Sequence, residues 1–222
     1  MESSFSLYPA KGQKGIDGES LIDATIHNSS IPVPKGPGQR FKVSNIELRK
    51  CRHWACFVHG AEIRNSTFES ITGGKGVPTY LWSCLYSRVT IKGKISGIHF
   101  NWRLDPGNPC VDEAFLNDAK AFYEDIDWAL DISEARFSTF QALLGVPSDK
   151  VIRNPELHYV LSRDSATGST GKLQEYGVWA VVAEDLLESG LGDTVVVLPS
   201  SGKSAKEDKE FAESLRSKGW LE

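Results

Sequence analysis

Apolar positions recur every five residues between residues 41 and 70, a spacing that neither a helix nor a strand explains. An α-helix repeats every ~3.6 residues and a strand every two. One series holds Val43, Leu48, His53, Val58, Ile63 and Phe68, and a second, two residues earlier, holds Phe41, Ile46, Cys51, Cys56, Ala61 and Ser66. Residues two apart point to the same side of an extended segment. Each five-residue unit therefore sends two side chains inward and then turns a corner, which predicts a square coil of short strands.

This pattern resembles the pentapeptide-repeat family, in which a large apolar residue occupies the centre of each unit and a small residue precedes it by two places. The resemblance covers six units, residues 41–70, and implies a right-handed parallel β-helix with four units per coil. The layout of the chain also resembles an uncharacterised bacterial group of such proteins. The family's usual Asp or Asn before the centre is replaced here by Lys42, Glu47, Arg52, Phe57, Glu62 and Thr67. We therefore expect an irregular β-helix with longer strands on some faces.

An N-terminal arm, a loop and an inserted helix interrupt the five-residue pattern. Residues 1–40 are rich in Gly, Pro, Ser and Lys, and they predict an N-terminal arm with one cap strand. The units resume after the loop 72–78 and again at 130–137, on either side of an amphipathic helix predicted at about 111–127 from its helical spacing of apolar residues. The β-helix with its inserted helix is therefore expected to span residues 41–148.

Residues 149–222 predict a small α/β segment packed on the coil. Two short strands broken at Pro155 are followed by a helix in GVWAVVAEDLLES, a strand in TVVVLP and a final helix, an order that suits layered α/β packing. The intervening segment 163–172 is rich in Ser, Thr and Gly and predicts a loop. The expected fold class is thus mainly β: an irregular right-handed parallel β-helix, an inserted helix and a C-terminal α/β segment.

Composition indicates the cellular compartment that we expect for this protein. The chain is 40% apolar and 24% charged, as in ordinary soluble globular proteins. No uncharged apolar stretch approaches the roughly 20 residues that span a bilayer, and the start lacks a basic segment followed by an apolar one. Cys51, Cys56, Cys84 and Cys110 show no dense disulfide spacing. We therefore expect a cytoplasmic protein with no membrane partner.

The charge is unevenly distributed along the chain. Residues 1–110 carry 14 Lys and Arg against 8 Asp and Glu, and residues 111–222 carry 11 against 21, so the two parts have net charges of +6 and −10. Some pentapeptide-repeat proteins mimic DNA with an acidic coil, whereas this predicted coil is basic. The basic coil mildly favours an anionic partner, but because the basic part is diluted by an acidic one we do not expect a nucleic-acid partner.

The segment CRHWACFVH contains the ligand types of a tetrahedral zinc site, in Cys51, His53, Cys56 and His59. A paired CxxC or HxxxH spacing is missing. In the five-residue register the first three side chains point inward and His59 points outward, so small buried thiols explain the pattern better. The Gly-Lys-Ser loop after TVVVLP lacks the first glycine of a Walker A loop, since Val197 occupies that position. We expect neither a metal nor a cofactor.

Many carboxylates lie within the predicted inserted helix and the units after it. Its members are Asp112, Glu113, Asp118, Glu124, Asp125, Asp127, Asp131 and Glu134. Such a run is compatible with a solvated helix face, with a negatively charged docking face, or with paired carboxylates for glycoside cleavage. Asp127 and Asp131 are best placed where the helix meets the coil, so they are the candidate catalytic residues if the protein is an enzyme.

The functional expectation rests on a rigid flank and on the lack of a complete catalytic motif. A flank with fixed rows of side chains suits recognition better than a water-excluding pocket. Trp54 and Trp82 lie off the inward positions, and Trp is enriched at binding hot spots; with Arg52 and Arg64 they are the candidate binding residues. We expect a non-catalytic protein-interaction module, such as an inhibitor or immunity-type protein that binds another bacterial protein. The alternative is a polysaccharide-acting enzyme with carboxylates on the β-helix flank.

Overall fold

The fold consists mainly of short parallel strands, accompanied in the described part of the chain by four helices. It was obtained as a computed structural model that describes residues 3–6, 8–74, 77–104, 109–173, 177–202 and 205–222. The predicted mainly β class is thereby confirmed.

The strands are short and follow one another closely in the first two thirds of the chain. In chain order they are β1 (Ser3–Phe5), β2 (Gly15–Asp17), β3 (Ser20–Ile22), β4 (Ala24–His27), β5 (Ser30–Ile31), β6 (Lys42–Ser44), β7 (Glu47–Arg49), β8 (Arg52–Trp54), β9 (Phe57–His59), β10 (Glu62–Glu69), β11 (Thr72–Gly73), β12 (Thr79–Trp82), β13 (Leu85–Ile95), β14 (Ile98–Asn101), β15 (Leu130–Asp131), β16 (Ala135–Phe137), β17 (Gln141–Ala142), β18 (Val151–Ile152), β19 (His158–Ser162) and β20 (Asp193–Val197). The helices are α1 (Pro109–Glu124), α2 (Arg163–Leu173), α3 (Val178–Ser189) and α4 (Ala205–Ser217).

These strands form four sheets. Sheet I contains β1, β4, β8 and β11; sheet II contains β2, β3, β6, β7, β10, β13, β15, β16 and β18; sheet III contains β5, β9, β12 and β14; and sheet IV contains β17, β19 and β20. Strand pairs in sheets I to III are parallel, whereas those in sheet IV are antiparallel. Sheets I to III are called the parallel region below.

In the parallel region the chain returns to each sheet after a similar length of sequence. In sheet II, Gly15 pairs with Lys42, Lys42 with Glu62, and Glu62 with Leu85. Sheet III shows the same behaviour, since β5 pairs with β9 and β9 with β12. The interval from Lys42 to Glu62 holds the four five-residue units that the periodicity predicts, whereas the intervals from Gly15 to Lys42 and from Glu62 to Leu85 are 27 and 23 residues.

Residues with a positive φ recur every five residues; most lie between successive strands, whereas Asn65, Arg88 and Gly93 lie within the long strands β10 and β13. They are Gly18, Asp23 and Asn28, then Asn45, Lys50, Ala55, Gly60, Asn65 and Ser70, then Ser83, Arg88 and Gly93. The left-handed conformation costs a residue other than glycine about 1–2 kcal/mol. The packing of the strands on either side must offset this cost, so the turn positions are dictated by the buried residues between them.

We expect Gly60→Ala to lower the free energy of unfolding by about 2 kcal/mol. Gly60 has φ +56°, and a Cβ there would lie 2.7 Å from Pro34 Cγ. Ala55 occupies the equivalent turn one unit earlier with φ +51°, so Ala55→Gly is the matched control and should change stability by less than about 1 kcal/mol. Urea unfolding of both variants measures the difference. Equal losses in the two variants would contradict the role given to these turns.

Burial confirms both predicted inward series. The six residues of the earlier series, Phe41, Ile46, Cys51, Cys56, Ala61 and Ser66, are each buried. In the centre series Val43, His53 and Ile63 are buried, while Leu48, Val58 and Phe68 are partly buried. The parallel region therefore has one continuous core, to which the strands of sheet IV add Val160, Val195 and Val197.

The segment 15–31 contains more structure than the single cap strand expected from its sequence. It forms β2 to β5, which pair with β6 to β9. Its unit centres are Ile16, Leu21, Ile26 and Ile31, which keep the five-residue interval. The positions two residues before these centres are Lys14, Glu19, Ala24 and Ser29. Because two of these four are charged rather than small and apolar, the repeat is weak in the sequence.

Helix α1 occupies the place of the predicted inserted helix and is fixed to the parallel region by Arg40. The Arg40 side chain is only 3% exposed, and its Nε donates to Asp118 Oδ2 at 2.8 Å. Its two terminal nitrogens donate to the carbonyls of Ser83 (2.6 Å) and Phe115 (3.4 Å). The guanidinium also lies 4.6 Å from the centre of the Phe115 ring. After the helix the chain returns to sheet II, where β15 and β16 pair with β13.

The C-terminal segment contains the expected strands and helices, with one difference. Sheet IV and helices α2 to α4 enclose a second core that includes Tyr159, Trp179 and Leu215. Residues 163–172, predicted as a loop, belong to helix α2. The hydroxyl of Ser162 accepts a bond from the Ser165 N–H at 3.1 Å, which is an N-terminal cap. Burial of Ala166 provides the packing that outweighs the poor helix propensity of Ser, Thr and Gly.

Candidate functional site

Sheet III exposes a cluster of aromatic rings on the face turned away from the core. Val58, Leu81 and Phe100 are paired neighbours on β9, β12 and β14, and they pack in the core. Because side chains alternate along a strand, their flanking residues form two columns on the opposite face. One column is Phe57, Tyr80 and His99, and the other is His59, Trp82 and Asn101. We call the five rings Phe57, His59, Tyr80, Trp82 and His99 the aromatic face.

The rings of the aromatic face are stacked along and across the columns. Phe57 and Tyr80 have ring centres 6.3 Å apart and planes within 7°, and Tyr80 and His99 are 5.4 Å apart at 25°. His59 and Trp82 are 6.4 Å apart at 4°, and Tyr80 and Trp82 are 5.4 Å apart at 20°. Nearly parallel rings at these distances are offset-stacked, the arrangement that aromatic pairs prefer. Each ring therefore restricts its neighbours, and the face is a preorganised surface.

The aromatic face contains no Lys, Arg, Asp or Glu side chain, and burial lowers the pKa of His99. Two exposed apolar residues lie beside the strands of this face: Val33 follows β5 and Val77 precedes β12, with exposed fractions of 51% and 49%. The carbonyl of Val77 accepts a hydrogen bond from the N–H of Ala55, the turn residue between β8 and β9. Half-buried rings with apolar neighbours are typical of the centre of a protein interface.

Trp54 and Trp82, the two predicted binding tryptophans, lie on different sheets. Trp82 belongs to the aromatic face on β12, whereas Trp54 lies on β8 of sheet I, stacked on His27 with ring centres 5.3 Å apart. Both are partly buried. The turn at Ala55 separates Trp54 from Phe57, so Trp54 lies next to the aromatic face along the chain without belonging to it.

The two predicted binding arginines have separate environments. Arg52 is exposed on β8, two residues before Trp54, and so it shares the outer face of sheet I. Arg64 lies on sheet II, forms an ion pair with Glu62, and its guanidinium is 5.0 Å from the centre of the Phe122 ring of α1. Arg64 therefore takes part in the packing of α1 and does not join either tryptophan.

The four residues considered as metal ligands do not converge. The thiols of Cys51 and Cys56 donate to backbone carbonyls. Buried His53 uses both nitrogens: Nε2 donates to the Ser96 carbonyl at 2.9 Å, and Nδ1 accepts from the Thr79 hydroxyl at 2.6 Å. His59 belongs to the aromatic face and donates to a carbonyl through Nδ1. Throughout the described ranges, no group of three or more His, Cys, Asp or Glu is arranged to bind a metal.

Burial favours the neutral form of the His53 imidazole. Its pKa is lowered by burial, and the hydrogen bond to Ser96 acts in the opposite direction with smaller effect. A neutral imidazole that donates once and accepts once needs no further partner. His53 is thus a satisfied core residue that links β8 to the segments around Thr79 and Ser96.

The two candidate catalytic carboxylates form an ion pair and hydrogen bonds that stabilise the local structure. The Asp127 side chain is 81% exposed, and its Oδ2 lies 3.3 Å from Arg88 Nη2. Oδ1 of Asp131 accepts bonds from the backbone N–H and the hydroxyl of Ser133, at 3.0 and 2.7 Å. The second arrangement closes the turn that follows β15. Neither residue lines the cleft beside Trp102 and Glu188 or the cleft beside Lys92 and Arg136.

Sequence reasoning identified Trp82 but missed Phe57, Tyr80 and His99. Their signal was an aromatic residue immediately before an apolar unit centre, in the pairs Phe57-Val58, Tyr80-Leu81 and His99-Phe100. The interval from Phe57 to Tyr80 differs from that between Tyr80 and His99, and neither is a whole number of five-residue units. The column is therefore visible only after the strands are paired.

None of the helices in the described part of the chain is both long and apolar enough to cross a membrane. Comparison with known protein families, with curated proteins and with solved structures gives no match for this sequence.

Proposed function

We propose that the parallel region is a right-handed β-helix of the pentapeptide-repeat type. The four-unit interval between the paired residues Lys42 and Glu62 and the turns at every fifth residue support it. Connections between parallel strands of one sheet are almost always right-handed, which supports the handedness. The Gly60→Ala and Ala55→Gly variants test the turns on which this proposal rests.

We further propose that the protein is a non-catalytic binding module whose aromatic face binds another protein. An inhibitor or immunity-type protein acting in the bacterial cytoplasm fits this role. The observation that carries the proposal is the stack of five half-buried rings on one face of a single sheet. Aromatic residues held in place before binding lose little conformational freedom on association, so their burial contributes efficiently to affinity.

The charge distribution supports a protein partner over an anionic polymer. Several basic residues of the parallel region pair with carboxylates: Arg49 with Glu47, Arg64 with Glu62, Arg88 with Asp127, and Lys92 with Glu69. Pairing of this kind reduces the positive potential that a nucleic acid or acidic polysaccharide needs. The offset stack also covers part of each ring plane, which leaves less area for a sugar or a base to stack on.

The enzyme alternative receives no comparable support from Asp127 and Asp131. A glycosidase needs two carboxyl groups facing a common substrate. Asp127 instead pairs with Arg88 at the surface, and Asp131 is held by Ser133. We therefore make no proposal of glycoside cleavage.

The Trp82→Ala variant tests the binding proposal. The tagged wild-type protein is used to capture its partner from a native bacterial lysate, and the affinity is then measured with the purified partner. Loss of a central aromatic anchor costs about 2 kcal/mol or more, so we expect affinity to fall by at least about 30-fold. Trp54→Ala, measured in parallel, shows whether the interface extends onto sheet I.

Ile152→Ala is the control for the binding experiment. Ile152 is an apolar residue, 44% exposed, on β18 of sheet II, so its replacement should leave the affinity unchanged. Urea unfolding of each variant shows that the fold is retained. Equal affinities of wild type and Trp82→Ala for the captured partner would refute a role for the aromatic face.

A further inference from the structure

Strands β2 and β3 together form one edge of sheet II. They pair with β6 and β7, and both of these pair with the single long strand β10, so β2 and β3 follow one line. In the described part of the chain no strand pairs with their other side. Sheet I, by contrast, has β1 beyond β4, and sheet III ends in the two-residue strand β5. A longer uncovered edge is a template for pairing with another chain.

Four residues of this edge direct their backbone N–H and C=O groups away from sheet II. The carbonyls of Lys14 and Glu19 accept hydrogen bonds from the first N–H groups of β6 and β7, so the backbone of these two residues faces the sheet. The direction alternates along a strand, and the outward residues are therefore Gly15, Asp17, Ser20 and Ile22. The exposed side chain of Gln13 donates to one outward group, the Gly15 carbonyl, at 3.0 Å. The described chain gives the other outward groups no partner.

The order of the outward residues is complementary to itself. A two-fold axis midway between β2 and β3 places this edge antiparallel to the same edge of a second copy. Gly15 then lies opposite Ile22 of the second copy, and Asp17 lies opposite Ser20 of the second copy. Each pair joins two residues whose backbone groups point outward, and such pairs exchange both N–H···O=C bonds in an antiparallel ladder. The symmetry forms each pair twice, as in any isologous interface.

The side chains along the edge match in the same arrangement. Ile16 lies opposite Leu21 of the second copy, and both residues pack against the core while remaining partly exposed. Contact between them continues the core from one copy to the other. At the ends of the edge, exposed Lys14 lies opposite exposed Asp23 of the second copy. The two-fold axis therefore creates two pairs of opposite charge.

We propose that two copies of this chain associate through residues 14–23, with β2 and β3 paired antiparallel across a two-fold axis so that the copies share one sheet. A second copy fits because the same segment supplies both halves of the backbone ladder, of the apolar pair and of the charged pair. Ile22, which is 57% exposed in the single chain, gains a neighbour as well. The edge belongs to sheet II, so the dimer depends neither on the aromatic face of sheet III nor on its partner.

Sedimentation equilibrium of the full-length protein tests the association. A single edge forms a smaller interface than a standard one, so we expect the average mass to rise from 24.5 kDa toward twice that value between about 1 and about 200 µM. Amide hydrogen exchange is followed by mass spectrometry at both concentrations. Exchange should slow at the higher concentration in a peptide covering residues 14–23, and it should not change in a peptide covering β19.

Two charge reversals test the register of the edge. Lys14→Glu and Asp23→Lys each bring like charges together across the axis, so each should weaken association about tenfold at low ionic strength. Both replacements suit the fold. Glu19 holds the position one unit after Lys14, and Lys50, with φ +53°, holds the turn beside Asp23.

The double variant separates contact between copies from an effect within one chain. Lys14 and Asp23 lie at opposite ends of the edge, so they meet only when two copies pair. Lys14→Glu combined with Asp23→Lys restores opposite charges, and association should return to within about threefold of wild type. Lys209→Glu, an exposed position on α4, changes the net charge as Lys14→Glu does and should associate like wild type. The proposal is overturned if the protein stays monomeric at the highest concentration, if residues 14–23 exchange equally at both concentrations, or if the double variant associates no better than the single ones.

Discussion

Replacing Arg40 with methionine is expected to lower the free energy of unfolding by about 3 kcal/mol. Methionine keeps much of the aliphatic volume but removes every hydrogen bond of the guanidinium. The carbonyl of Ser83 then lacks its 2.6 Å donor, and Asp118 loses its partner. Because these bonds hold α1 on the parallel region, amide hydrogen exchange in α1 should accelerate more than exchange in sheet II. Urea unfolding measures the stability and mass spectrometry measures the exchange.

Arg88→Met is the matched control for Arg40→Met. Arg88 also forms an ion pair with an aspartate, Asp127, but the two side chains are 60% and 81% exposed. Exposed pairs contribute little because water screens them, so the loss should stay below about 1 kcal/mol. A double-mutant cycle with Asp118→Asn isolates the coupling to Arg40. Similar losses in Arg40→Met and Arg88→Met would show that Arg40 does not anchor the helix.

Acidification from about pH 6.5 to about pH 4 is expected to remove about 3 kcal/mol of stability through His158 alone. Burial, with a further contribution from the charge of Arg153, lowers the pKa of His158 to about 4. In the unfolded chain the imidazole takes up its proton near pH 6.5. Between these values only the unfolded state is protonated, so stability falls with pH through this window and levels off below it.

The geometry explains why the folded state resists this proton. The ring of His158 is fully buried, and its Nδ1 accepts the N–H of Asn154 at 3.1 Å. A proton on Nδ1 would break that bond. We compare unfolding of wild type and His158→Gln at several pH values, since Gln keeps an acceptor but does not titrate. The stability difference between the two proteins should shrink by about 3 kcal/mol from pH 7 to pH 4; a constant difference would contradict the assignment.

Much of the fold was predictable because the five-residue interval is a direct consequence of how the strands pack. Residues such as Cys51 and Ile63 are buried at the expected positions. Of the strands β2 to β5 only one cap strand was expected, and β2 and β3 in particular gave no repeat signal because Lys14 and Glu19 replace the small apolar residues of their units. Helix α2 was missed for another reason: the Ser162 cap is a local signal, but the burial of Ala166 comes from tertiary packing, which outweighs the poor helix propensity of the segment.

The candidate site was only partly predictable. Trp82 could be named because it lies off the inward positions, but its neighbours Tyr80 and His99 depend on pairing between distant strands. Arg64 was predicted to bind a partner, and its contacts with Glu62 and Phe122 could not be foreseen without the position of α1.

The insertion of α1 between β13 and β15 has a consequence for the order in which the chain folds. Before the insertion, paired residues such as Lys42 and Glu62 are close in sequence, whereas Val89 pairs with Leu130, on the far side of the whole helix. The entropic cost of closing a loop grows with its length, and pairing of distant segments slows folding. The strands from β2 to β14 can therefore pair one after another. Assembly of β15, β16 and β18 onto sheet II should follow as a later kinetic step.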